Sequence, residues 1–178
     1  YLEMVDGSAS RLDGTIQEIL EYSRNSRLDI AHESFNLVTM VQEAFNDLKF
    51  SAQGNIQLLL DIQTEPIIHS DKSRVSVLMK NIIGNSIKYR RKDIDAFVKL
   101  TLKRSEGNVI IAISDNGEGI DRKHLDQVFT MFFRGTTTSV GTGLGLYSCK
   151  EIVSKLGGKL LVDSTLGKGT TMTIILEE

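Results

Sequence analysis

Three groups of residues have the types and spacing to do chemistry. The first is Asp115-Asn116-Gly117-Glu118-Gly119-Ile120. A carboxylate can accept a hydrogen bond from an exocyclic amine. A glycine has no Cβ, so its backbone can come close to a flat ligand. The same Asp-Asn-Gly is also ordinary turn chemistry, and by itself the stretch fits a plain turn equally well. The second group is Asn81, Asn85 and Lys88, spaced four and then three residues apart. That spacing puts them on one face of a helix. An amide oxygen can serve Mg²⁺, which takes oxygen ligands and keeps waters and phosphate oxygens in its shell. An adjacent ammonium suits a phosphate. Alone, this face also fits the solvated side of an amphipathic helix. The third group is Gly141-Thr142-Gly143-Leu144-Gly145-Leu146. Glycines at a helix start leave N–H groups aimed at an anion, and the helix dipole favours negative charge there. The spacing is neither GxGxxG nor GxxxxGK[ST], which disfavours a dinucleotide fold and a Walker A loop.

The surrounding elements must position these groups. Val109, Ile110, Ile111, Ala112 and Ile113 form an apolar, β-branched run that reads as a buried strand ending on Asp115. Ahead of it, 97–104 alternates apolar and polar residues, and Ser105-Glu106-Gly107-Asn108 turns the two runs into a hairpin. Ser70 or Asp71 caps a helix running to about Tyr89, with Val75, Leu78, Met79, Ile82, Ile83 and Ile87 as its apolar body and Arg74, Asn81, Asn85 and Lys88 as polar interruptions. Leu37, Val41, Ala44 and Leu48 mark another amphipathic helix, ending before Gly54. Ile56 to Ile62 reads as a strand, with short strands around Phe35 and at Ile67-Ile68. After a short helix over 122–128, residues 129–140 show no periodicity and read as a mobile loop, anchored by Phe129 and Phe132. A helix follows through Leu146, Cys149, Ile152, Val153 and Leu156, and a closing hairpin turns through Leu166-Gly167-Lys168-Gly169. At the other end, Leu2, Val5, Ala9, Leu12, Ile16 and Ile19 form an a/d seam. Gly7 and Gly14 each weaken that helix by about 1 kcal/mol relative to Ala, so packing against a partner helix or a second copy is expected to make up the difference.

Composition bounds the class. The chain has 178 residues, 40% hydrophobic and 25% charged, as in globular domains, and a net charge of −2 that gives no bulk attraction to nucleic acid. A single cysteine, Cys149, rules out an internal disulfide and fits a reducing compartment. No apolar run approaches the roughly 20 residues of a membrane-spanning helix. The start at Tyr1, inside a helical pattern, reads as a fragment; a membrane anchor would lie in regions outside it.

The four motifs, in this order, resemble the GHKL ATP-binding family, and within it the catalytic domain of sensor histidine kinases. Residues 71–89 resemble the family's N box, Asp115 to Ile120 the first glycine box, Phe129-Thr130-Met131-Phe132-Phe133-Arg134 the F box, and Gly141 to Leu146 the second glycine box. The likeness runs from about Phe35 to the C-terminus. The seam helix resembles the second helix of the dimerisation and phosphotransfer bundle. The resemblance implies an α+β fold, a two-layer α/β sandwich of the Bergerat type with a mixed sheet and helices on one face, preceded by a long bundle helix. It divides the chain into a partial bundle, 1–28, and a catalytic domain, 29–178. It implies adenine held by Asp115, with Gly117 and Gly119 giving close approach and Ile120 among the ATP contacts, and Asn85 as the Mg²⁺ ligand with Asn81 nearby. Lys88 would meet phosphate, with Arg134 as a second contact. Gly141, Thr142, Gly143, Leu144, Gly145 and Leu146 would shape the phosphate end. Tyr89, Phe132 and Thr170 complete the implied ATP-contacting set. Asn81, Lys88 and Arg134 would support catalysis. A response regulator or phosphotransfer protein and a homodimer through the bundle helix are the implied partners, with the domain in the cytoplasm.

One departure matters. The family's acceptor histidine sits on the first bundle helix, which this sequence does not contain; His32 is followed by Glu33 but falls in the linker, and His69 and His124 stand alone. The expected activity is transfer of the γ-phosphoryl of ATP to a histidine elsewhere on the bundle. A non-catalytic nucleotide-binding regulator, or a serine-kinase or anti-sigma protein of the same family, is the alternative. The ATPase branches carry a Glu four residues before the metal Asn; here that position is Asn81, which cannot take a proton at neutral pH.

Overall fold

The computed structural model describes residues 16, 19, 20, 23, 28–50, 55–135 and 141–177. Most of the seam helix therefore lies outside the described residues. Ile16, Ile19 and Leu20 are helical and 44–54% exposed.

Alternating runs become strands and 3.6-period runs become helices, in the expected places. Strand β1 (His32–Asn36) pairs antiparallel with β3 (Ile67–Asp71), with Phe35 opposite Ile68. Both are longer than the sequence suggested, and they form a separate two-stranded sheet rather than joining the main one. The main sheet has five strands in the order β2 (Ile56–Ile62), β4 (Ala96–Ser105), β5 (Asn108–Asp115), β7 (Gly169–Glu177), β6 (Lys159–Thr165). Strands β2 and β4 are parallel and the other pairs antiparallel, so the sheet is mixed. The β4–β5 hairpin turns through Glu106 and Gly107, both at positive φ, the backbone a two-residue hairpin loop needs.

One face of this sheet is apolar because register stacks the right residues. Leu100, Ile113 and Met172 stand side by side across β4, β5 and β7, as do Leu102, Ile111 and Ile174. Against them pack α1 (Leu37–Phe50), α2 (Lys72–Lys88) and α3 (Gly145–Lys155), in a single core with Val41, Leu78, Ile82, Ile83, Cys149 and Val153. The architecture is a two-layer α/β sandwich with helices on one face. Cys149 is fully buried and its thiol is pushed up to about 12 by that burial, so it is a packing residue and not a reactive one.

The segment expected as a helix over 122–128 is a 3₁₀ helix, Arg122–Gln127, capped by Asp121. Phe129 is partly buried against the core, as an anchor should be. Phe132 is not an anchor: it is 57% exposed, at a φ of 64°. Part of that loop, 136–140, lies outside the described residues.

Candidate functional site

Asp115 ends β5 on the helix-facing side of the sheet, opposite Val98 on β4, because the pleat that buries Ile111 and Ile113 also turns position 115 inward. Three donors hold its carboxylate. One oxygen accepts the N–H of Gly117 at 2.9 Å and of Thr170 at 3.1 Å; the other accepts the Ser86 hydroxyl at 2.8 Å. A carboxylate has about four lone-pair sites, so room remains for one more donor. Next to it Asn116 serves the fold: its side chain accepts from Phe97 N–H at 3.0 Å and donates to the Asp95 carbonyl at 2.9 Å.

The glycines of this loop act inside the protein. A Cβ on Gly117 would lie 2.6 Å from the Tyr89 carbonyl, and one on Gly119, at φ +68°, would lie 2.1 Å from the Thr165 carbonyl. Their close approach is to backbone, and Gly117 is buried away from the cleft. The loop is tied down by Glu118 N–H to the Tyr89 carbonyl at 2.9 Å, Ile120 N–H to Ser164 at 2.8 Å, and Gly167 N–H to the Glu118 carbonyl at 2.6 Å.

Asp115 forms one end of a cleft of about 600 Å³ between α2, the 115–121 loop, the 3₁₀ helix and the glycine run before α3. Asn81, Asn85, Lys88, Tyr89, Asp115, Gly119, Ile120, Arg134, Gly141, Thr142, Gly143, Gly145, Leu146 and Thr170 all line it. Gly117, Phe132 and Leu144 do not; Leu144 is 5% exposed and packs inward.

On α2 the polar face is arranged for the cleft. The Asn81 amide donates to the Val77 carbonyl one turn back at 3.0 Å, which leaves its oxygen facing outward. The Asn85 side chain meets no hydrogen-bond partner among the described residues and is half-buried on the cleft wall. Lys88 is exposed, its ammonium 4.6 Å from the Tyr89 ring centre. The glycine run lies directly over this face. A Cβ on Gly141 would sit 2.8 Å from the Lys88 ammonium, and one on Gly145 would sit 2.8 Å from the Asn81 oxygen. Helix α3 starts at Leu144-Gly145; the Leu144 side chain provides no cap, and the Leu144 N–H donates to the Thr142 hydroxyl at 3.2 Å.

Several lining residues escaped the sequence reading. Ser86 is one more helix residue by spacing, yet its hydroxyl donates to Asp115 at 2.8 Å and orients it. Leu166 and Met172 supply apolar wall from β6–β7. His124, isolated in the sequence, lines the cleft with its ring 5.4 Å from that of Phe133, and Phe133 rather than Phe132 faces inward. Arg74 does not join the polar face; it is buried against Asp71 at the far end of α2. His32 lies on β1, its ring 5.5 Å from His69, and neither borders the cleft. Among the described residues there is no group of three or more His, Cys, Asp or Glu able to hold a metal ion, and no helix long and apolar enough to cross a membrane.

The sequence profile described as "Histidine kinase-, DNA gyrase B-, and HSP90-like ATPase" matches residues 70–178, the stretch that builds this cleft. The chain belongs to that family. Within it, the circadian input-output histidine kinase CikA of Synechococcus elongatus is 29% identical over 100% of this chain and 25% of its own length. The mycobacterial sensor histidine kinase MprB is 26% identical, with a TM-score of 0.71 over 83% of this chain and 97% of that one. Full-length ShkA in complex with AMPPNP, 20% identical, shares the fold at a TM-score of 0.82 over 99% of this chain and 38% of its own. The chain spans 11–31% of the length of curated relatives it matches.

Proposed function

We propose that residues 29–178 are the ATP-binding catalytic domain of a two-component sensor histidine kinase, and that 1–28 belong to its dimerisation and phosphotransfer bundle. The observation that carries this is the division of one cleft into two chemistries. At one end a carboxylate fixed by three donors has capacity for an exocyclic amine, beside apolar wall from Ile120, Leu166 and Met172. At the other, Asn85, Lys88, Arg134 and the glycine run border a space suited to phosphates. Adenine belongs at Asp115 and the phosphates over α2. The AMPPNP complex of ShkA agrees with an adenine nucleotide as ligand.

The residues fit a Mg²⁺ carried in with the nucleotide. Among the described residues the Asn85 side-chain oxygen is uncommitted and no carboxylate cage surrounds it, which suits an ion that keeps waters and phosphate oxygens. When bound it would neutralise phosphate charge. The chain's own groups do the positioning: Asp115 sets the base, Lys88 and Arg134 face the phosphates, and the glycine run closes over them. Phosphoryl transfer then needs a nucleophile in line with the γ-phosphate, and most of the catalytic work is positioning and charge stabilisation. A bundle histidine nitrogen would attack the γ-phosphorus and ADP would leave. His32 and His69 do not border the cleft, and Asn81, already donating to Val77, is no base for water. Homodimerisation through 1–28, onward transfer to a response regulator or phosphotransfer protein, and a cytoplasmic setting complete the proposal.

The test is incubation with γ-labelled ATP, alone and with the complete bundle. The chain alone should label itself negligibly and release phosphate slowly. With the bundle, an acid-labile, base-stable phosphohistidine should form. Fast phosphate release without an acceptor would favour the ATPase branch, and no transfer with the bundle would favour a non-catalytic regulator.

A further inference from the structure

A set of charged contacts converges on backbone that the cleft does not use. Arg74 and Asp71 are each 3% exposed and form an ion pair. Asp71 already caps α2 by accepting the Arg74 N–H at 2.9 Å, a task any short polar side chain performs without a buried guanidinium. The guanidinium reaches elsewhere. Its Nη2 donates to the Leu28 carbonyl at 2.6 Å and its Nη1 to the Asp29 carbonyl at 3.2 Å. The second Asp71 oxygen accepts the Ala31 N–H at 3.1 Å. From the last turn of α3, the Lys155 ammonium donates to the same Leu28 carbonyl at 2.7 Å. Every one of these bonds to 28–31 is to main chain, so what is held is the path of the polypeptide.

A buried ion pair is a poor device for stability alone, because desolvation offsets much of its attraction; its better-attested use is to specify one arrangement over others. Here the arrangement is the route by which the chain reaches β1. The helix that holds this route at its first turn carries Asn81, Asn85 and Lys88 farther along. Arg74 and Lys88 are about 20 Å apart along one continuous helix. The angle at which the chain arrives is thereby referred to the same rigid element that forms the cleft wall.

We propose that Asp71, Arg74 and Lys155 form a latch that fixes residues 28–31 to α2, so that the chain enters the domain along one set path while the latch is closed. The latch goes beyond the assigned function, and its existence does not depend on which ligand the cleft takes.

The experiment uses the 178-residue chain with Asp71→Asn and Arg74→Met together. Asn keeps a cap on α2, and removing both charges leaves no lone buried ion. Amide exchange at Ala31 should rise at least tenfold, while β5 amides keep their protection. Spin labels at Leu20→Cys and Lys103→Cys, with buried Cys149 left unlabelled, should give a distance distribution clearly broader than in the otherwise unaltered chain. Arg74→Lys, which keeps the charge but lacks the forked donors, should fall between. Lys155→Met, a surface change that carries little folding risk, should raise Ala31 exchange several-fold by itself. Unchanged Ala31 exchange in both the double variant and Lys155→Met, or a label distribution of equal width with and without the pair, overturns the latch.

Discussion

The two ends of the cleft are built in opposite ways. Around Asp115 every contact is made within the protein: three donors on the carboxylate, and glycines whose absent side chains let backbone press on backbone. A Cβ on Gly169 would come within 2.0 Å of the Asp115 carbonyl itself. Over the second half of α2, by contrast, Lys88 and Arg134 are exposed and the Asn85 amide meets no hydrogen-bond partner among the described residues. Three strands and a helix fix the first end; a loop and a helix start border the second. The difference teaches how such a site divides its labour. On the proposed reading, the base would meet a preorganised group that need not move, whereas the phosphate end would be completed by its ligand.

The sharpest way to break the rigid end is Gly119→Ala. At φ +68° with a Cβ 2.1 Å from the Thr165 carbonyl, it should cost about 3 kcal/mol of stability, measured by denaturant unfolding. A loss below about 1 kcal/mol would mean the loop is not held as tightly as described. At the open end, Asn85→Ala should leave stability nearly unchanged. It should weaken Mg²⁺–ATP by about 1.5 kcal/mol and adenosine hardly at all; equal losses for both would mean that α2 does not serve the phosphates. A third test concerns pH. Burial would push the Asp71 carboxyl up, but the Arg74 and Ala31 N–H groups and the Arg74 guanidinium hold it below its ordinary 3.8. A depressed folded-state pKa contributes stability above the unfolded value, lost as pH falls through the folded one. The acid limb of a stability-against-pH curve should therefore be shallower in Asp71→Asn/Arg74→Met; an identical limb would remove Asp71 from the account. The smallest effect is Gly84→Ala. A Cβ there would meet only Leu48, at 3.9 Å, so helix propensity should raise stability by about 1 kcal/mol, and a destabilised variant would show hidden crowding.

What the sequence revealed follows from distance along the chain. The hairpin ending on Asp115 and the Asn81, Asn85, Lys88 face were legible because periodicity is local. Ser86, Leu166 and Met172 were not, because they become neighbours of Asp115 or of the cleft only after β5, β7 and α2 are brought together. Gly117 and Gly119 stand out in the sequence, but the backbone their missing side chains make room for does not: Tyr89 and Thr165 are 28 and 46 residues away in the chain. Arg74 reads on a helical wheel as one more polar interruption; only the fold shows the carbonyls of Leu28 and Asp29 that it binds. Phe132 and Phe133 are adjacent, and nothing local decides which faces the cleft.

The claim that adenine is read at Asp115 is tested most directly by calorimetric titration of the chain with ATP, beside Asp115→Asn. Asn keeps the size of the side chain and one acceptor oxygen but removes the charge and turns an acceptor into a donor. We expect saturable one-to-one binding by the unaltered chain. In a variant whose β5 amides remain protected, ATP and adenosine should both weaken at least tenfold, as losing a charge-assisted hydrogen bond of about 1.5–3 kcal/mol requires. Unchanged affinity for either ligand in that folded variant would contradict the account.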